Sequence, residues 1–241
     1  AVVIYSADDE KKNNIKYRHS RETEGVNFTK PDVFSTRKIS DYYYAYDTII
    51  AMCEEAGKPF YDMDVVIGPI ERILGQGTEG GYIDKEQFIK NKLPIPYKIS
   101  DNLEITPPVI MINYASNPDH ASQIFTLIHE YQHYLYALDH PGRKPTYKSF
   151  EGLSGKEKLA NYYDYFTDPD EVLAHIKQIK KQLQAGLSPD EVIRDKVRDT
   201  FGSGTVTADN YPIILKYKEI VDEAIKQLEE EKEDEIPTGE N

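Results

Sequence analysis

A chain of 241 residues, 39% hydrophobic and 29% charged, holds enough apolar material for one globular domain, or for one domain built as two lobes. Its formal net charge of −13 argues against a nucleic-acid surface as the main partner, and no run approaches the roughly 18 consecutive apolar residues of a membrane span. The single cysteine, Cys53, excludes an internal disulfide and suits a reducing compartment; it reads as a small apolar group rather than a nucleophile.

The start, Ala1-Val2-Val3-Ile4-Tyr5, predicts a short strand followed by irregular chain to about residue 38, with His19 facing solvent among Arg18, Ser20 and Arg21. It lacks the basic start and long apolar run of a signal peptide, so the chain reads as cytoplasmic, with a removed leader left open. Ser40 to Gly57 predicts the first helix, capped by Ser40, stopped by Gly57 and turning Tyr44, Ile49, Ile50 and Cys53 inward. Between Pro59 and Asn113 short apolar runs alternate with Gly and Pro. Asp64–Ile67 predicts a strand, Gly80–Ile83 a turn entering another, and Glu86–Lys92 a helical turn. Ile110–Asn113 is the clearest strand, and Pro107 and Pro108 before it suit a sheet edge.

Asn117-Pro118-Asp119 then opens a helix of some twenty residues, with Asn117 as cap, and His140-Pro141-Gly142 closes it. Within it stands His129-Glu130-Tyr131-Gln132-His133. A step of four on a helix is about 400°, so the two imidazoles share a face about 5–6 Å apart at Cβ, close enough to bind one cation. Glu130 lies one step round and reaches a water on that cation rather than the cation itself. Composition alone would give this pattern about 0.014 times in such a chain, and unpaired His and Glu inside an apolar helix would be costly. His120 falls on the opposite face and His140 about 10 Å along the axis, so both read as structural or exposed. Beyond Gly142, helices are predicted at about Gly155–Phe166, Pro169–Ala185, Pro189–Asp199 and Tyr211–Glu231, the last running into the acidic stretch Glu229–Glu235.

The His-Glu-x-x-His run resembles that of the zincin metallopeptidases, and the resemblance covers roughly residues 107–180. It implies an α+β, zincin-like fold: a small mixed sheet with an edge strand, the active-site helix, then a mainly helical C-terminal lobe. The whole chain, 1–241, would be one catalytic domain, with residues 1–142 as the N-terminal lobe and 143–241 as the C-terminal one. The edge strand that pairs with an extended substrate in that family would fall at Val109–Asn113. Zn²⁺ would be held by His129 and His133, with Glu130 as general base toward a peptide or protein substrate, and with no nucleic-acid or membrane partner.

The third ligand divides the subfamilies. The metzincin pattern would use Asp139, but it wants Gly where Tyr136 stands and a Met turn downstream, whereas Met52, Met63 and Met111 all lie upstream. The gluzincin pattern uses a Glu on a later helix, and Tyr165-Phe166-Thr167-Asp168-Pro169-Asp170-Glu171-Val172-Leu173-Ala174-His175 resembles that segment in small bacterial and phage metallopeptidases. Glu171 would be the ligand and His175, one turn on, a group orienting one. Ser188-Pro189-Asp190-Glu191 repeats the same local pattern, so Glu191, with Asp195, stays open as a rival; a Glu in that position is also what a capping box requires. The resemblance further implies a Tyr or His donor to the oxyanion, for which Tyr162, Tyr163, Tyr165, Tyr211 and Tyr217 are candidates. The alternative function is a catalytically silent zincin-fold protein with a structural or partner-binding role, its acidic tail and Tyr-rich surface serving as contacts. A metal-dependent transcription regulator is disfavoured by the negative charge.

Overall fold

The structure, a computed structural model, describes residues 34–75 and 78–234. The strand expected at Ala1–Tyr5, His19 and Glu235 lie outside them. The described residues fall into two compact units that part between Arg143 and Lys144. The architecture is mixed α+β, with a small mixed sheet and a second, two-stranded one.

In the first unit, β1 (Ser35–Lys38), a 3₁₀ turn (Ile39–Asp41), α1 (Tyr43–Ala56) and β2 (Asp64–Gly68) come first, followed by α2 (Glu71–Leu74), β3 (Gly80–Ile83) and α3 (Lys85–Lys90). The hairpin β4 (Tyr97–Ser100) and β5 (Leu103–Ile105), then β6 (Val109–Asn113) and α4 (His120–Asp139), follow. The four-stranded sheet runs β1-β2-β6-β3, with β2 and β6 parallel and both outer pairs antiparallel. All five residues of β6 are buried, as expected for a central strand covered on both faces. Val66, Val109 and Met111 point into a core with Ile70, Phe88 and Ile105. Ile110 and Ile112, on the opposite face by the two-residue period, pair with Tyr82 and Gly80.

Three local expectations are corrected. β6 is not an edge strand, because it pairs on both sides; the two prolines end before its first paired residue, so no ladder donor is lost. Among the described residues the edge beside it is β3, whose glycines belong to the strand itself. Ser40 does not cap α1: its N–H and hydroxyl bond Asp62 at 2.9 and 2.6 Å, and the helix starts at Tyr43 after the 3₁₀ turn. The buried stripe is accordingly Ala45, Ile49, Met52 and Cys53, with Tyr44 and Ile50 half-buried, while Gly57 ends the helix in the left-handed region as expected. Asp119, not Asn117, caps α4 by accepting the Ser122 N–H at 2.8 Å.

The second unit contains α5 (Gly155–Thr167), α6 (Pro169–Gln184), α7 (Pro189–Phe201) and α8 (Tyr211–Asp234), each starting at the residue its sequence signals indicate. Its core joins Phe166, Ile176, Ile179, Ile213, Tyr217 and Val221. The acidic residues Glu229–Glu233 are exposed along the end of α8, where Glu231 pairs with Lys180. Among the described residues no helix is long and apolar enough to cross a membrane.

Candidate metal centre

α4 is anchored at its base by amides rather than by its cap alone. Asn117 donates to the carbonyls of Glu79 and Asn113 at 2.9 and 3.1 Å, and its own oxygen accepts the Thr126 hydroxyl at 2.6 Å. Gln123 donates to the Asn117 carbonyl, and Asn113 to the carbonyl of Thr78. These bonds fasten the entry of β3 to the first two turns of the helix. Midway along, Tyr131 is fully buried; its hydroxyl accepts the Tyr61 N–H at 3.0 Å and the Cys53 thiol at 3.5 Å. Burial pushes the titration of both Tyr131 and Cys53 up, the direction that favours the neutral thiol.

One turn of this helix carries the His pair. The rings of His129 and His133 lie 4.8 Å apart, centroid to centroid, at 77°. His129 is buried and His133 half-buried. Glu130, 7% exposed, faces β3, and its Oε2 accepts the Tyr82 N–H at 2.8 Å. That N–H points away from β6, so the carboxylate closes part of the sheet's open edge. Close approach here requires Gly80. A Cβ on it would meet Thr126 Cγ2 at 2.6 Å and Glu130 Oε1 at 3.0 Å. Tyr82 and Tyr134 pack edge-on at 5.7 Å beside the carboxylate, and burial raises the titration of both phenols.

In the second unit, Glu171 sits in the first turn of α6, 4% exposed. Glu191, in the same place on the next helix, shows why two similar sequences diverge. At α7 the Ser188 N–H and hydroxyl both bond Glu191 Oε2 at 2.8 Å, a closed capping box. These two bonds hold the Glu191 carboxyl below its ordinary titration range. At α6 the cap is Asp168, whose N–H is already taken by the Tyr165 carbonyl at the end of α5. Glu171 is therefore released from capping, and its Oε1 accepts the hydroxyl of Tyr147 instead.

Tyr147 itself is pinned from both sides. Thr146 donates its N–H and hydroxyl to Asp168 Oδ2 at 2.8 and 2.9 Å. The N–H and carbonyl of Lys148 engage the buried Asn161 amide at 2.8 and 3.0 Å. His175, one turn beyond Glu171 and 1% exposed, lies among the rings of Tyr165, Phe166 and Tyr217 at 5.5–5.7 Å.

Among the described residues, one group of ligating side chains could hold a metal ion: His129, His133 and Glu171, whose donor atoms, one from each, all lie within 4.8 Å of one another. Glu191 and Asp139 do not belong to it. Asp139 pairs with Lys58, and the helix runs on through Tyr136 as the missing Gly implies. His120 is buried and stacked on Tyr42, and His140 is exposed and stacked on Tyr136. Of the tyrosines named as oxyanion donors, Tyr163 and Tyr211 are 40% and 50% exposed, Tyr217 is buried, and Tyr162 and Tyr165 join the aromatic cluster around Phe166. Tyr147 was not among them. Its loop lacks any periodicity, and Tyr147 is one of two aromatics, with Phe150, in a polar stretch between two helix boundaries. Comparison of the chain with protein-family models, with curated proteins and with solved structures finds no match.

Proposed function

We propose that the chain is a zinc-dependent peptidase of zincin type, with His129, His133 and Glu171 as ligands and Glu130 as general base. The observation that supports this most is the grouping of those three donors within 4.8 Å, with Glu130 next to His129 on the same helix. Two imidazoles and a carboxylate suit zinc, and three protein donors is the number of a catalytic zinc site, where structural sites use four. When bound, zinc supplies Lewis acidity, polarising a carbonyl and bringing the pKa of a water to about 7. Glu130 takes a proton from the attacking water and hands it to the leaving amine. One of its oxygens, fixed by the Tyr82 N–H, orients the carboxylate while the other moves the proton. An extended peptide would lie along β3, the sheet edge beside Glu130, in place of the buried β6.

The test combines metal analysis with turnover on an unbiased peptide library. One zinc per chain, hydrolysis lost to a chelator, and Glu130→Gln inactive but still zinc-loaded support the proposal. Undiminished hydrolysis by Glu130→Gln, or a chain that takes up no zinc, defeats it. A second reading, a metal-holding structural or partner-binding protein without turnover, is favoured by one observation. Glu130 ties helix to sheet edge, a structural job for a carboxylate. Zinc uptake with no cleavage anywhere in the library selects that reading.

A further inference from the structure

We infer that Tyr147 is a positioning residue that sets Glu171 for single-oxygen binding of the cation. The inference rests on the proposed metal site but concerns a residue that neither the motif nor the His pair indicates. A carboxylate offers two oxygens and can swing between one- and two-point attachment. In this chain the Tyr147 hydroxyl donates to Oε1, so one lone-pair direction on that oxygen is occupied.

The donor is itself built in. Its two chain neighbours are each held by two hydrogen bonds, Thr146 on Asp168 and Lys148 on Asn161, and both partner side chains are at least 95% buried. Its ring packs edge-on against Tyr165 at 4.9 Å and leans on Phe150 at 6.2 Å. A flexible loop that merely touched Glu171 would not need four such bonds around a single tyrosine. Asp168 has a double part: through Oδ1 it caps α6 by accepting the Asp170 N–H, and through Oδ2 it holds Thr146. The same carboxylate thereby places the helix turn that carries Glu171 and the strap that carries its donor. Hydrogen-bonded partners of metal ligands orient the ligand and raise its basicity, and losing one typically weakens metal binding about 10–100-fold.

The experiment uses the full chain and Tyr147→Phe, which keeps the ring and removes only the hydroxyl. Zn²⁺ affinity is read by competition with a chromophoric chelator. The visible spectrum of the Co²⁺-loaded protein reports coordination number, and thermal unfolding of the metal-free protein reports folding. The expected result is affinity lower by about 10–100-fold, a changed Co²⁺ spectrum and a metal-free unfolding midpoint like that of the parent. Equal affinity and an identical Co²⁺ spectrum overturn the inference while leaving the metal site standing. An affinity loss that only follows a fallen metal-free midpoint also overturns it, because the hydroxyl would then be structural. If the parent chain binds neither ion, the inference and the proposed function fall together.

Discussion

Glu130 and Tyr82 are joined by a hydrogen bond of 2.8 Å from a sheet-edge N–H to a helix carboxylate, forty-eight residues apart in sequence. The bond makes Glu130 a structural link as well as the proposed base, and the two roles separate by mutation. Glu130→Gln keeps an acceptor oxygen for the Tyr82 N–H, so stability should change by less than about 1 kcal/mol. Glu130→Ala strands that part-buried N–H and should cost about 1–3 kcal/mol. Urea denaturation of both variants reads the difference; equal stabilities would show that the bond carries nothing.

The space for Glu130 depends on the absent side chain of Gly80. The Thr126 methyl, 2.6 Å from where a Cβ would stand, cannot rotate away without giving up the Thr126 hydroxyl bond to Asn117. Gly80→Ala should therefore destabilise by about 1–3 kcal/mol, the usual cost of overpacking. Thr126→Ser removes the obstructing methyl while keeping the hydroxyl, so the double variant should recover most of the loss. A double-mutant cycle with no coupling between the two positions would contradict the crowding.

Metal removal should register in stability as well as in chemistry. A cation held by His129, His133 and Glu171 stabilises the folded chain by about 2.7 kcal/mol when present at 100 times its dissociation constant. For a chain of this size that is about 5–10 °C in unfolding midpoint. A chelator should lower the midpoint by that amount, and His133→Ala should erase the chelator's effect. A chelator response unchanged in His133→Ala would locate the ion elsewhere.

Much of this is legible in the sequence. The four helices of the second unit begin where Gly155, Pro169, Pro189 and Tyr211 signal them, because caps and first-turn prolines act locally. The His pair is legible for the same reason, since one helical turn fixes it. Sheet order is not: Pro107 and Pro108 suggest an edge, but pairing is decided by strands distant in sequence, and β6 closes on both β2 and β3. The difference at Asn117 has the same origin. As a cap it would serve one helix end, yet the fold uses its amide to bind Glu79 and Thr126, partners invisible to a local window. Tyr147 shows the limit most plainly, since what picks it out is a bond to Glu171, twenty-four residues on.

Glu191 offers a control on the choice of Glu171, because its carboxylate is committed to Ser188. Those bonds hold its pKa below the ordinary carboxylate value, so its contribution to stability has a definite sign with pH. The stabilisation is fully present above the unfolded-state pKa and is lost as pH falls through the depressed folded-state value. At neutral pH, Glu191→Gln removes the charge at the α7 N-terminus and should cost about 0.3–1 kcal/mol. Once the pH falls below the depressed folded-state value, the two proteins should converge in stability, as the native carboxyl takes up its proton. Ser188→Ala, which removes the cap itself, should cost about 1 kcal/mol at neutral pH. Metal content should be the same in all three proteins. A Glu191→Gln variant that loses the ion would transfer the third-ligand assignment away from Glu171, while a stability gap that persists into acid would mean that the bonds to Ser188 are not what depresses the carboxyl.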